Sequence, residues 1–561
     1  MKKNVKLVLF AAVFALTVCV FAASASAVCA KPGVGVTGSA AACRSHYGEL
    51  VTLDSIPKTD AKLIGSKNGA PALDKADKNI PLVIIVAGFD NMPYRSDCDW
   101  ASEIFTQEYS LSAFYSDMSF GQFTFIPVKE TSQHDRDGNT NAYDAKNDGI
   151  VHVSLSIPHK EWIGLQQKAE IASWMSALSA ALEAADRYVD FSAYDADGDG
   201  TISNSELAVG FVIAGYEASA VTEYSMGSQY YTWAHAWEFD DANDNGGSGV
   251  PAPTPDGVKV NSFIAIAEQM EDGEEIIQEP ISVLAHELGH YLGLPDLYDV
   301  YYMTNGSWSG YSVGLLSVMD AGAWGYTLDR GYRPYSMDAW SRSVLGWYTP
   351  ETVTGSGRRT VRTDGTGSFN AVKIPTTRSN EYFLLENRAF TGWDEGMTID
   401  YPDATAQGGI IIWHIDDNVY DLYNESNEVN VSAHRPAVMP IYPEYTKNGS
   451  AAVIGRTVDI NNPFFSKAMW ESDMASALGA ELDLPVYGTG ITADNPASRV
   501  LSGIKLAFLS DTADEMDFSV TIPEVQSSDL CPYCGKDHSG SFIQKIIGFI
   551  HRILYIIGNI F

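Results

Sequence analysis

Residues 286–296 read H-E-L-G-H-Y-L-G-L-P-D. Two histidines four apart on a helix project from one face, one turn from each other. His286 and His290 can therefore offer two imidazoles to one tetrahedral Zn²⁺. Glu287 beside them can reach a water on that metal without being a ligand itself. Zinc lowers the pKa of such a water to about 7, so a carboxylate can take its proton at neutral pH. The chemistry implied is hydrolysis by activated water. Gly293, just past the last turn, suits the left-handed conformation that ends a helix sharply. The chain can then swing Asp296 back as a third ligand, leaving a fourth position open as catalytic zinc sites do. A bare H-E-x-x-H arises by chance in roughly one chain in a hundred of this size; the added Gly and Asp make coincidence much rarer.

A second constellation occupies residues 195–206, D-A-D-G-D-G-T-I-S-N-S-E. Asp195, Asp197 and Asp199 stand at loop positions one, three and five, and Gly200 at the sharp turn. Thr201 offers its carbonyl, Ser203 stands at position nine, and Glu206 closes the loop as a bidentate carboxylate. Every oxygen donor of a twelve-residue EF-hand loop is present, which implies Ca²⁺. Only one such loop occurs, and strand-like residues follow it, so a single structural ion fits better than a paired sensor. The partial loops at Asp135–Asn139 and Asp241–Gly246 lack the closing Glu and read as polar turns.

These residues need elements to hold them. A helix starting at Pro280 as its first residue, with Val283, Leu284, Leu288 and Leu292 as its apolar face, carries the histidines. Pro81–Phe89 and Ala208–Tyr216 are apolar runs of strand length and read as buried strands. Residues 161–187 place Ile171, Trp174, Met175, Leu178, Ala181 and Leu182 at helical spacing. Trp233–Trp237 alternates as a strand does. His235 within it reads as a hydrogen-bonded strand histidine rather than an oxyanion stabiliser, and His414 and His434 read the same way. From about residue 350 the texture changes to short apolar or alternating runs between Gly, Asp and Asn clusters, predicting a β-rich, sandwich-like domain over 351–525.

The two ends carry other signals. Lys2, Lys3 and Lys6, the apolar run Leu7–Ala22 and Ala25-Ser26-Ala27 form the layout of a secretory signal peptide over 1–27. Residues 28–80 read as a prosegment or N-terminal arm. Five cysteines remain beyond the signal: Cys29, Cys43, Cys98, Cys531 and Cys534; Cys29 with Cys43 makes a plausible small disulfide in an exported protein. Within 526–561, Cys531-Pro-Tyr-Cys534 with His538 precedes an amphipathic helix with a cationic face, suited to a membrane surface or the cell envelope. A net charge of -35 without a long basic run excludes nucleic acid as a natural partner. No G-x-S-x-G elbow supports serine catalysis.

The run from His286 to Asp299 (HELGHYLGLPDLYD) resembles the signature of the immune inhibitor A family of secreted bacterial metallopeptidases. Glu381–Arg388 and Gly408–Asp416 resemble the family as well, so the likeness covers about residues 80–520. The resemblance implies an α+β fold: a metzincin-like zinc peptidase domain over 81–350, then the β-rich domain. It implies Asp296 as the third ligand, with Asp299 as a rival, and Met319 in Ser317-Val318-Met319-Asp320 as an apolar floor under the zinc. It further implies protein or peptide substrates and an extracellular location, with surface retention through 531–561 as an added expectation.

Overall fold

The computed structural model describes residues 79–131, 147–159, 168–218, 230–240, 250–272, 275–300, 312–328, 331–401, 407–424, 426–431, 435–441, 463–471, 480–486 and 500–523. The signal peptide, most of the N-terminal arm, the Cys-x-x-Cys tail with its helix, the two partial acidic loops and His434 lie outside the described residues. The chain divides into two compact units. One is the chain through Tyr348 together with Tyr423–Val431; the other is Thr349–Leu422 together with the chain from Ser432 onward.

The first unit is built on a mixed sheet. Its strands are β1 (Asn79–Phe89), β2 (Thr124–Pro127), β3 (Ile150–Leu155), β4 (Ala208–Glu217), β5 (Tyr231–Thr232), β6 (His235–Glu238), β7 (Ser262–Asp272) and β8 (Glu275–Gln278). β1 pairs in parallel with β2, β3 and β4, and β4 in parallel with β7; β6 and β8 pair antiparallel with β7. A parallel strand inside a sheet is covered on both faces, which is why β1 and β4 read as unbroken apolar runs rather than alternating ones.

One face of that sheet carries Val83, Ile85, Val209, Phe211, Ile213, Phe263 and Ala265. Helix α2 (Lys168–Ala185) packs its Trp174, Leu178, Ala181 and Leu182 into this cluster. It lies in the connection from β3 to β4, the crossover required between two strands that both run parallel to β1. The expected helix over 161–187 is thus described from Lys168. The alternate set, Ile84, Val86, Gly210, Val212 and Ile264, faces the other way by the two-residue period of a strand. The segment around His235 is two short strands broken at Trp233–Ala234, and Trp233, His235, Ala236 and Trp237 are all buried. Its alternation does not separate core from solvent.

Helix α1 (Leu111–Met118) and helix α3 (Ile281–Tyr291) complete the frame. α3 packs against α1 and β7, and the buried Tyr115 hydroxyl of α1 donates to the Ala285 carbonyl at 2.7 Å. Two sequence expectations for α3 are corrected. Pro280 occupies the N-cap, with extended ψ of 145°, and Ile281 is the first helical residue. A proline that lacks N–H loses nothing at either place. All eleven residues of α3 are buried, so it has no solvent face; the polar side chains among them, Ser282, His286, Glu287 and His290, are enclosed by protein.

Among its described residues the second unit contains two sheets. One has the order Glu351–Thr352, Val372–Pro375, Glu381–Ala389, Gly408–Asp416, Val438–Ile441; the other Gly357–Arg362, Glu515–Thr521, Val500–Phe508, Leu482–Val486. Phe383, Leu385, Ile410 and Ile412 of the first sheet and Val361, Leu506, Phe518 and Val520 of the second form one apolar cluster. His414 is a buried core histidine whose Nε2 lies 2.9 Å from the buried Glu381 carboxylate.

Candidate metal centre

α3 presents His286 and His290 one turn apart, and the way it ends brings the third group. Gly293 has φ of 98°, and its N–H bonds the His290 carbonyl at 2.8 Å while the Leu294 N–H bonds the Gly289 carbonyl at 3.0 Å. That pair of bonds is the Schellman termination, which reverses the chain through a residue of positive φ. The chain turns back at Pro295, and Asp296 Oδ1 reaches 3.2 Å from the Nε2 of His286 and 3.2 Å from the Nε2 of His290. The two Nε2 atoms are 3.1 Å apart.

The triangle has the dimensions of a coordination face. Ligands about 2.0–2.1 Å from a tetrahedral zinc are separated by about 3.3 Å along each edge. The proton positions agree. His286 Nδ1 lies 2.8 Å from the Val318 carbonyl and His290 Nδ1 2.8 Å from the Leu294 carbonyl. Carbonyls only accept, so both Nδ1 atoms donate and both Nε2 atoms keep lone pairs when the rings are neutral. Three lone-pair atoms then converge at about hydrogen-bond distance, and Asp296 Oδ1 is buried and accepts no hydrogen bond. Such a cluster requires a cation or a proton at its centre.

Without a metal the electrostatics show this demand. Burial disfavours charge on His290, yet the Asp296 carboxylate outweighs it and raises the imidazole above its usual value. Burial likewise opposes ionisation of Asp296, but the two imidazoles hold its carboxyl well below the ordinary range. Glu287 is pushed up to about 8 by burial, with Asp296 and Glu217 adding to the shift and His286 opposing it.

Met319 lies directly beneath the helix. It is fully buried, and a Cβ on Gly289 would run into its sulfur and methyl group. Leu297 N–H bonds the Met319 carbonyl at 2.9 Å, so the turn bearing Met319 also holds the returning strand of the site. The Ser317 hydroxyl anchors that turn to buried Asp338 at 2.6 Å. Asp299 is buried but does not belong to the three-residue donor cluster; His286, His290 and Asp296 do.

Residues 72–348 match the sequence model of the immune inhibitor A peptidase M6 catalytic domain. The chain carries this family's catalytic domain over that segment. It is therefore a metallopeptidase, a hydrolase acting on proteins or peptides. No curated protein matches the chain. The peptidase places its H-E-x-x-H residues, Gly293, Asp296 and Met319 in one buried centre.

The second constellation also folds as a loop. One carboxylate oxygen from each of Asp195, Asp197 and Asp199 lies within 4.8 Å of the others. Gly198 and Gly200 take φ of 73° and 83°, the latter at the position expected for the turn. Glu206 folds back so that Oε1 accepts from the N–H groups of Ala196 and Asp197 at 2.8 and 3.2 Å. Its Oε2 accepts from the Ser203 N–H and hydroxyl, each at 2.8 Å. Partial burial works against its charge, but these donors outweigh it and hold the carboxyl below its usual value. Asp195 Oδ1 is buried without a partner. A two-residue strand, Thr201–Ile202, lies within the loop, and strand β4 (Ala208–Glu217) follows it where an EF-hand has its second helix.

His235 is buried with Nδ1 2.7 Å from the Trp233 carbonyl, and burial lowers it to about 4. One residue of the centre was not legible in the sequence. Asn427 lies 131 positions beyond Asp296, yet bonds it twice. No local periodicity or motif marks it.

Proposed function

We propose that this peptidase is a secreted zinc endopeptidase whose metal is held by His286, His290 and Asp296, with Glu287 as general base and then general acid. The observation that carries the reading is the triangle of two Nε2 atoms and one carboxylate oxygen, with both Nδ1 protons committed to backbone carbonyls. Zinc bound there would supply Lewis acidity to the scissile carbonyl and would acidify water to a pKa of about 7. Glu287 stands one residue from the first ligand, enclosed by protein, where a carboxylate prefers to be protonated. A nearby cation draws such a group back toward its charged form. Glu287 then takes the proton of the attacking water as the oxygen adds to the carbonyl carbon, and returns it to the departing amine nitrogen.

We further read the 195–206 loop as a structural Ca²⁺ site through Asp195, Asp197, Asp199, the Thr201 carbonyl, Ser203 and Glu206. The second unit is read as a sandwich-like domain. The 531–561 tail is read as a surface tether; fractionation unchanged by its deletion refutes that role.

The test uses the full chain on denatured protein as substrate. Glu287→Ala is expected to retain stoichiometric zinc and lose activity by about 10²–10⁴-fold. His286→Ala is expected to lose the metal too. Wild-type activity that survives complete zinc removal overturns the mechanism.

A further inference from the structure

We infer that Asn427 is a positioning residue for the metal centre: its side-chain amide clamps Asp296 so that only Oδ1 is offered to the metal. The inference rests on the reading of Asp296 as a ligand. Asn427 Oδ1 accepts from the Asp296 backbone N–H at 2.7 Å, and its Nδ2 donates to Asp296 Oδ2 at 2.6 Å. One amide thus grips both the main chain and the carboxylate of the same residue. Oδ2 is occupied, and Oδ1 is left facing the two Nε2 atoms. Three residues on, Asn430 Nδ2 donates to the Leu297 carbonyl at 2.9 Å, so the next peptide of the returning chain is held as well. Asn427 and Asn430 are 4% and 0% exposed, which keeps water from competing for these bonds.

The residue type follows from the geometry. The clamp needs one donor and one acceptor on the same planar group, which an amide has and a carboxylate lacks. The backbone at 427 has φ of 56°, a left-handed conformation that Asn adopts more readily than most residues. Asn427 N–H caps the turn by bonding the Asn424 carbonyl at 3.0 Å. Tyr423–Val431 belongs to the first unit although the chain on both sides of it belongs to the second. The clamp therefore lies well beyond the segment 72–348 that matches the catalytic family model. A ligating carboxylate held by such a partner binds metal about 10–100-fold more tightly than one left free to rotate.

The test measures zinc affinity of the full chain by competition with a chromophoric chelator. Asn427→Gly removes the amide and suits the positive φ; the Asp296 N–H and Oδ2 lose their partner, so its zinc-free melting temperature should fall by a few degrees with the first unit still folded. Its zinc dissociation constant should rise about 10–100-fold. At saturating zinc its kcat should return toward wild type, which a misfolded site would not allow. Asn427→Asp keeps the shape but sets a like charge against Asp296, and should weaken zinc further; it carries the test if the glycine variant does not fold. Asp296→Ala runs in parallel. Wild-type zinc affinity in Asp296→Ala overturns the ligand assignment and the clamp with it. Weakened zinc in Asp296→Ala beside wild-type affinity in both Asn427 variants overturns the clamp alone.

Discussion

Two backbone carbonyls, those of Val318 and Leu294, set the protonation of the histidines at the centre. By taking the Nδ1 protons they leave both Nε2 lone pairs directed at Asp296 Oδ1. A histidine oriented by main chain needs no side-chain partner, and substitution at 318 or 294 leaves the bond in place. His235 shows the opposite use of burial. Its ring is held at about 4 against an ordinary value of 6.5, burial being the larger cause and the Trp233 carbonyl opposing it. A depressed folded pKa contributes stability that is complete above the unfolded value and is lost as pH falls through the folded one. The window is therefore pH 6.5 down to about 4, and its size is on the order of 3 kcal/mol. Denaturant titrations of zinc-free wild type and His235→Asn across that window should show a steeper loss in wild type. Parallel curves would dismiss the histidine as the cause.

At the scale of elements, the end of α3 and the turn under it matter more than the helix itself. Gly293 at φ of 98° produces the reversal that returns Asp296. A side chain there is strained by about 1–3 kcal/mol, so Gly293→Ala should lower the melting temperature of the first unit and its zinc affinity together. Gly289 has another role: its missing Cβ lets Met319 sit against the helix. Gly289→Ala should displace the methionine, and a cost of about 1–3 kcal/mol is expected for such overpacking, read by chemical denaturation. The acidic loop is joined to the same helix. The Tyr291 hydroxyl, one residue past His290, donates to the Leu207 carbonyl at 2.8 Å, immediately after the closing Glu206. Calcium at a hundred times its dissociation constant should stabilise the fold by about 2.7 kcal/mol. An Asp197→Ala chain that still gains that stability from calcium removes the loop from consideration.

For the whole molecule, two units with separate apolar clusters imply separate unfolding events, since a chain of several domains does not melt in one step. Calorimetry should resolve two transitions. Chelation should lower the one belonging to the first unit and leave the other in place. Phe383→Ala, in the buried cluster of the second unit, should lower the other by about 3–5 kcal/mol. A single transition shifted equally by both treatments would contradict this division. Among the described residues no helix is long and apolar enough to cross a membrane.

The sequence by itself determined the local chemistry. Helical spacing dictated that His286 and His290 share a face, the glycine after them dictated a sharp end, and alternating acids dictated a folded anionic loop. Covalent neighbours and backbone geometry suffice for such features. The apolar runs of β1 and β4 were legible as strands for the same reason, although their being buried on both faces and parallel depended on the crossover by α2. Pro280 shows the limit of the local rules, since a proline suits the cap and the first turn alike. Only the tertiary structure decided which aspartate faces the imidazoles, because a loop of three residues can aim either Asp296 or Asp299 inward. It alone chose the carbonyls that fix the tautomers and set Met319 against Gly289. It also brought Asn427 to Asp296 across 131 residues of chain. Contacts of that separation are made by the packing of distant elements, and no periodicity along the chain encodes them.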